Sequence, residues 1–79
     1  MPKPIILTVD DEDRVRDAVE RDLKRHFRSE YRIVKAGSGA EGLETVRQIK
    51  QRNDAIALFL VDQRMPGMSG TEFLAEAIG

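Results

Sequence analysis

Residues 56–70 read Ile-Ala-Leu-Phe-Leu-Val-Asp-Gln-Arg-Met-Pro-Gly-Met-Ser-Gly, and the rest of the chain is organised around them. An apolar run from Ile56 to Val61 ends on one carboxylate, Asp62, and turn-forming residues follow it. Such a short run between polar residues and turn formers predicts a strand that is buried on both faces. Asp62 is then expected where a buried strand reaches the surface, which is where ligands bind in open α/β sheets.

Two strand–helix units precede this stretch. The run from Ile5 to Val9 is rich in β-branched residues and predicts a strand, and the more polar run over residues 31–36 predicts a second strand at a sheet edge. Between them, apolar residues recur every four positions, which predicts one apolar stripe on a helix that ends near Phe27. The members of this stripe are Val15, Val19, Leu23 and Phe27.

Two more helices are predicted by capping-box spacing, in which a Ser is followed three residues later by a Glu. Ser38 with Glu41 starts one helix, and Ser69 with Glu72 starts the other. Alternating strands and helices with short connections predict a parallel sheet with right-handed crossovers. The carboxyl ends of the first and third strands then meet at one edge, provided that these strands are neighbours.

The composition excludes several classes of function. The chain has 79 residues, 13 basic and 14 acidic side chains, one histidine and no cysteine. A single domain is expected, without disulfides, thiolate metal sites or histidine-cluster metal sites. The near-neutral charge predicts no contact with nucleic acid, and the absence of a long apolar run predicts no membrane span. We expect a cytoplasmic location.

Carboxylates follow both the first and the third strand. Two carboxylates about 4 Å apart repel by on the order of 4 kcal/mol at an effective dielectric constant near 20. The whole stability expected of so small a domain is about 4–12 kcal/mol, so Asp10, Asp11 and Asp62 need a raised pKa, a basic partner or a cation. Mg²⁺ suits an all-oxygen pocket, and a carboxylate can also carry a phosphoryl group as an acyl phosphate.

The chain resembles the receiver domain of bacterial response regulators in two segments. These are Ile6-Leu7-Thr8-Val9-Asp10-Asp11-Glu12 and Leu60-Val61-Asp62-Gln63-Arg64-Met65-Pro66-Gly67-Met68-Ser69-Gly70. The resemblance implies a flavodoxin-like three-layer αβα fold whose parallel strands are ordered 2-1-3-4-5. It also implies that Asp62 is the phosphoacceptor for a sensor histidine kinase, and that Mg²⁺ is bound by Asp10, Asp11, Asp62 and the backbone carbonyl of Arg64. Such a domain is a signalling module that regulates an attached or partner output, and not a free-standing enzyme.

The resemblance further implies a fourth strand ending in Ser or Thr and a fifth ending in Lys. We expect both beyond Gly79, so that residues 1–79 form the N-terminal part of one receiver domain. The third strand would then be an exposed apolar edge, which favours self-association. The sequence is also similar to receivers that are fused ahead of thioredoxin-reductase-like modules.

Two other interpretations remain open. Residues 37–42 read Gly-Ser-Gly-Ala-Glu-Gly, which is the glycine spacing of a dinucleotide-binding turn, and Asp62 follows twenty residues after Gly42. That interpretation leaves Asp10 and Asp11 unexplained, because the fingerprint normally opens the first strand–helix unit of its fold. The other alternative is an interaction module that has the receiver fold but no phosphotransfer activity.

Overall fold

The computed structural model describes residues 3–78, which form three strand–helix units. The strands are β1 (Ile5–Val9), β2 (Arg32–Ala36) and β3 (Ile56–Val61). The helices are α1 (Asp13–Phe27), α2 (Gly39–Gln51) and α3 (Gly70–Ile78). The predicted order of elements is confirmed, and the predicted bounds hold to within about one residue.

The three strands form one parallel sheet in the order β2-β1-β3. This order confirms the flavodoxin-like arrangement, because β1 lies between β2 and β3 as the resemblance implied. All five residues of β1 are buried, as expected for the central strand. The register of β1 against β3 shifts between Ile5 and Ile6, so that Ala57 is an extra residue in β3.

Most of the apolar core lies on one face of the sheet, between β1 and the pair of helices α2 and α3. Ile5, Leu7 and Val9 of β1 belong to this core together with Phe73 of α3, whose side chain is completely buried. The ring of Phe73 meets that of Phe59 edge to face, with the ring centroids 6.0 Å apart. An aromatic pair of this geometry adds about 0.5–1.5 kcal/mol beyond the burial of the two rings.

Helix α1 covers the other face incompletely. No side chain within Asp13–Phe27 is buried, and Val15 and Phe27 of the apolar stripe are 40% and 42% exposed. Helix α1 lies mainly against β2 and β1. It is held there in part by ion pairs from Lys35 of β2 to Asp17 and Glu20 of α1. The stripe is therefore present on α1 but is only partly covered by the described part of the chain.

The prediction that β3 is buried on both faces is wrong for the described residues. Leu58 and Leu60 are 47% and 37% exposed, because β3 is an edge strand and α1 does not extend over it. Both leucines point to the α1 side, since Leu58 pairs with Ile6 and Leu60 with Thr8. The apolar composition of β3 would suit a central strand, whereas its position in residues 3–78 is at an edge.

A salt bridge joins the two outer strands at the amino end of the sheet, where all three strands begin. Arg32 at the start of β2 pairs with Asp54, which precedes β3, at 3.0 Å between Nη2 and Oδ2. The backbone N–H of Arg32 also donates to the carbonyl of Pro4, just before β1. The two outer strands are thus tied together across the start of the central one.

Candidate functional site

The candidate site lies at the carboxyl edge of the sheet, where β1 and β3 end. The backbone N–H of Asp62 donates to the carbonyl of Val9 at 2.9 Å, and that of Asp10 donates to the carbonyl of Ala36 at 3.1 Å. These bonds continue the strand ladders by one residue. The first residue after β1 and the first residue after β3 therefore lie next to each other at the carboxyl edge of the sheet.

The structure brings the three predicted carboxylates together. One carboxylate oxygen from each of Asp10, Asp11 and Asp62 lies within 4.8 Å of the other two. Asp10 and Asp62 are half-buried, and Asp11 is exposed. A group of hard oxygen donors open to solvent on one side suits a small divalent cation that keeps part of its water.

Backbone hydrogen bonds orient two of the carboxylates. Asp10 Oδ1 accepts from the backbone N–H of Glu12 at 2.9 Å, and Asp62 Oδ1 accepts from the backbone N–H of Arg64 at 3.2 Å. Each bond closes a tight local turn in which a side chain takes the place of a backbone acceptor. The loops after β1 and after β3 thereby limit the rotation of these carboxylates. The predicted role of the Arg64 carbonyl as a ligand stays a prediction.

The loop between β3 and α3 is closed by hydrogen bonds that the sequence did not indicate. Gln63 Oε1 accepts from both the backbone N–H and the hydroxyl of Thr71, each at 3.0 Å. The predicted capping box is present, because Ser69 and Glu72 each accept from the other's backbone N–H at 3.1 Å. The first turn of α3 is therefore capped twice, and one of the two caps is the residue directly after Asp62.

Gly70 lets α3 approach the end of β3. A Cβ atom at this position would lie 2.8 Å from the backbone oxygen of Asp62, which is closer than real Cβ contacts occur. The backbone N–H of Gly70 donates to the carbonyl of Gln63 at 3.2 Å. Position 70 therefore requires glycine, because only a residue without a Cβ lets the start of α3 pack against the main chain of Asp62.

Arg16 of α1 is a second residue that sequence reasoning missed. Its Nη1 donates to the backbone carbonyl of Asp10 at 3.0 Å, and its Nη2 forms an ion pair with Asp13. The hydrogen bond to Asp13 raises the pKa of the Arg16 guanidinium above its ordinary value. The spacing of Asp13 and Arg16 on one helix was the available sequence signal for the ion pair. The bond to Asp10 depends on tertiary structure and had no such signal.

The glycine-rich segment serves helix packing. Ser38 Oγ accepts from the backbone N–H of Glu41 at 3.1 Å, and Glu41 Oε2 accepts from that of Gly37 at 3.0 Å. A Cβ atom on Gly42 would lie 2.6 Å from the ring of Phe73, so this glycine is needed for the contact between α2 and α3. These contacts explain the segment as a capped and closely packed helix start, since the backbone N–H groups of Gly37 and Glu41 already have side-chain acceptors.

Comparison with known proteins assigns the family. The family model described as "Response regulator receiver domain" matches residues 6–77. The chain belongs to this family. The receiver fold and the place of the chain among two-component signalling modules are confirmed by this membership.

Solved receivers share the fold of this one. The receiver domain of the hybrid histidine kinase CckA superposes with a TM-score of 0.80 at 33% identity, over 95% of this chain and 64% of that one. A response regulator receiver domain protein from Clostridium thermocellum gives a TM-score of 0.74 at 27% identity, over 94% of this chain and 54% of that one. This receiver chain therefore spans between one half and two thirds of those solved domains.

Among curated proteins, this receiver is similar to a part of much longer regulators. It is 39% identical over 71 residues to the hydrogenase transcriptional regulatory protein HoxA of Cupriavidus necator, covering 90% of this chain and 13% of HoxA. It is 35% identical over 75 residues to the transcriptional activator protein PfeR of Pseudomonas aeruginosa, covering 94% of this chain and 22% of PfeR. Among the described residues of the receiver, no helix has the length and apolar content needed to cross a bilayer.

Proposed function

We propose that this receiver accepts a phosphoryl group on Asp62 from the phosphohistidine of a sensor histidine kinase. The observation that supports the proposal most strongly is the group of Asp10, Asp11 and Asp62, with an oxygen of each within 4.8 Å of the others, in a chain of the receiver family. Repulsion among the three carboxylates lowers the stability of the fold unless a cation or a ligand offsets their charge. A site that keeps three carboxylates together despite their mutual repulsion is expected to use them in binding or catalysis.

In the proposed reaction, an oxygen of the Asp62 carboxylate attacks the phosphorus of the kinase phosphohistidine. An oxygen–phosphorus bond forms as the phosphorus–nitrogen bond breaks, and the bonding electron pair returns to the imidazole nitrogen, which then takes up a proton. The hydrogen bond from the Arg64 N–H to Oδ1 orients the Asp62 carboxylate for the attack. The half-buried position of Asp62 also removes part of the water that would hydrate the nucleophile.

We propose Mg²⁺ as the cation, held by Asp10, Asp11, Asp62 and the backbone carbonyl of Arg64. The donor set fits this ion, because all the donors are hard oxygens and one side of the group is open for water and phosphoryl oxygens. When bound, Mg²⁺ supplies charge that offsets the negative oxygens of the transferring group. The resulting acyl phosphate adds nearly two negative charges at the sheet edge, which would change the surface seen by an attached or partner output.

The test is the binding of beryllofluoride, a phosphoryl mimic, in the presence of Mg²⁺, measured by calorimetry. We expect the wild-type protein to bind and the Asp62→Asn variant to lose binding. Asp22→Asn is the matched control, because Asp22 is an exposed carboxylate on α1 and lies outside the group. Equal binding by the wild type and by Asp62→Asn would reject Asp62 as the acceptor.

A second candidate function is association of two copies of the chain through the edge of β3. The supporting observation is the exposure of Leu58 and Leu60 on an edge strand whose composition suits the centre of a sheet. Sedimentation velocity over a range of concentrations is the measurement. We expect a dimer that Leu58→Lys disrupts, since a charge on an edge strand opposes pairing with another chain. A monomer at high concentration would exclude this role.

A further inference from the structure

Arg16 joins two parts of the β1–α1 connection. Its Nη1 donates to the backbone carbonyl of Asp10 at 3.0 Å, and its Nη2 pairs with the carboxylate of Asp13 at the start of α1. The Arg16 side chain is only 18% exposed, so most of its surface is removed from water although it lies on a helix surface. The guanidinium thus links the main chain at Asp10, directly before Asp11, to the first turn of α1.

The same guanidinium also lies against the β2–α2 turn. A Cβ atom on Gly37 would lie 3.0 Å from Arg16 Nη1 and 3.2 Å from Glu41 Oε2. Glu41 Oε2 in turn accepts from the backbone N–H of Gly37 at 3.0 Å. Arg16 therefore occupies the space between two neighbouring loops at the carboxyl edge of the sheet, and the missing side chain at Gly37 leaves room for it.

We infer that Arg16 is a positioning residue for the metal site. By holding the carbonyl of Asp10, Arg16 keeps the carboxylates of Asp10 and Asp11 within reach of Asp62. This inference rests on the proposed function, in which these three carboxylates bind Mg²⁺. Arg16 itself offers no ligand atom, because a guanidinium has donors and no acceptor. Its effect on the metal is therefore indirect.

Positioning and charge make opposite predictions for the loss of Arg16. A positive charge near the three carboxylates repels a divalent cation, so its removal alone would tighten Mg²⁺ binding. Loss of a group that orients the ligands would weaken Mg²⁺ binding, and such losses typically amount to 10- to 100-fold in metal affinity. The sign of the change in affinity thus separates the two roles.

The experiment measures the Mg²⁺ dissociation constant by calorimetry for Arg16→Gln, Arg16→Lys and Arg14→Gln. We expect Arg16→Gln to bind Mg²⁺ about tenfold more weakly. Arg16→Lys keeps the charge but lacks the planar fork that reaches two acceptors at once, so we expect it to bind more weakly than wild type as well. Arg14→Gln removes the same charge from an exposed position of α1 and should bind as wild type does.

Circular dichroism in EDTA checks that each variant is folded. Gly37→Ala is a second probe that retains the Arg16 residue. Its Cβ would press on Arg16 Nη1 from 3.0 Å and shift the guanidinium by a few tenths of an ångström, and we expect it to weaken Mg²⁺ binding too, by less than Arg16→Gln does. Unchanged or tighter Mg²⁺ binding by folded Arg16→Gln would overturn the positioning role. If the wild type itself bound no Mg²⁺, the proposed metal site would fail, and this outcome is distinct from a wild type that binds and an Arg16→Gln variant that binds equally well.

Discussion

Replacing Asp62 by Asn should stabilise the metal-free protein, although Asp62 is the residue that the proposed function needs most. Asn has nearly the same shape and can still accept the hydrogen bond from the Arg64 N–H through Oδ1. The substitution removes one charge from a group of three. Two of the three repulsions in the group, those with Asp10 and with Asp11, are lost with it.

The size of this effect follows from the separation of the carboxylates. At 4.8 Å in a water-like dielectric, one pair of unit charges repels by about 0.9 kcal/mol. Two pairs give an expected gain of about 1–2 kcal/mol, and the gain falls at high salt because the site is partly exposed. For a domain of this size, 1 kcal/mol corresponds to about 4–8 °C in the unfolding midpoint.

The assay is thermal unfolding followed by circular dichroism in EDTA at low ionic strength, repeated with Mg²⁺. We expect Asp62→Asn to unfold at a higher temperature than wild type in EDTA, and the difference to shrink when Mg²⁺ is added. The shrinkage arises because a ligand that binds the native wild type stabilises it by mass action. A midpoint for Asp62→Asn equal to or below that of wild type in EDTA would refute the argument from repulsion.

Three further substitutions test the surroundings of the site. Gly70→Ala should destabilise the fold by about 1–3 kcal/mol, measured by urea unfolding, because the new Cβ meets the backbone oxygen of Asp62. Gln63→Ala should cost about 1 kcal/mol in the same assay, since the first turn of α3 loses an acceptor for two hydrogen bonds. The hydrogen bond from Lys35 lowers the pKa of Glu20 in the folded protein below its ordinary value of 4.5. The charged Glu20 side chain therefore adds to the free energy of unfolding above pH 4.5, and this stabilisation is lost as the pH falls through the lower pKa of the folded state. Glu20→Gln should therefore be less stable than wild type at pH 7, by up to about 1 kcal/mol, and the difference should vanish in strong acid.

Each of the three predictions can be contradicted by a specific result. Gln48→Ala, at an exposed position of α2, is the control for Gln63→Ala, and equal stability of the two variants would deny the second cap. A Gly70→Ala variant as stable as wild type would show that α3 can move away from β3 without cost. A Glu20→Gln variant whose deficit persists in strong acid would assign the loss to packing and not to charge.

The order of elements and the meeting of the carboxylates were predictable from sequence. Short apolar runs and capping-box spacing are local signals, and they locate β1, β3 and the starts of α2 and α3 closely. The parallel sheet then requires Asp10 and Asp62 to end at one edge. That these two strands are neighbours was implied by the resemblance to receiver domains, and with that order the meeting of the carboxylates needed no knowledge of individual contacts.

The contacts of Arg16 and Gln63 were not predictable in the same way. Each depends on a distant backbone group whose position is known only once the helix and the strand are packed together. The exposure of Leu58 was also missed, because an apolar pattern shows which side chains favour burial but not whether a neighbour is present to bury them. The same reason explains why the stripe on α1 is only partly covered.

The central place of β1 has a consequence for the order in which the sheet forms. Ile5 pairs with Arg32 in β2 and with Ile56 in β3, so the first strand of the chain must find both of its partners later in the sequence. Closing the shorter loop costs less entropy, which favours the β1–β2 pair as the earlier contact. During synthesis, β1 would leave the ribosome before its two partner strands and would stay uncovered longest of the three. The acidic group would form after the β1–β2 pair, since Asp62 joins Asp10 only when β3 docks.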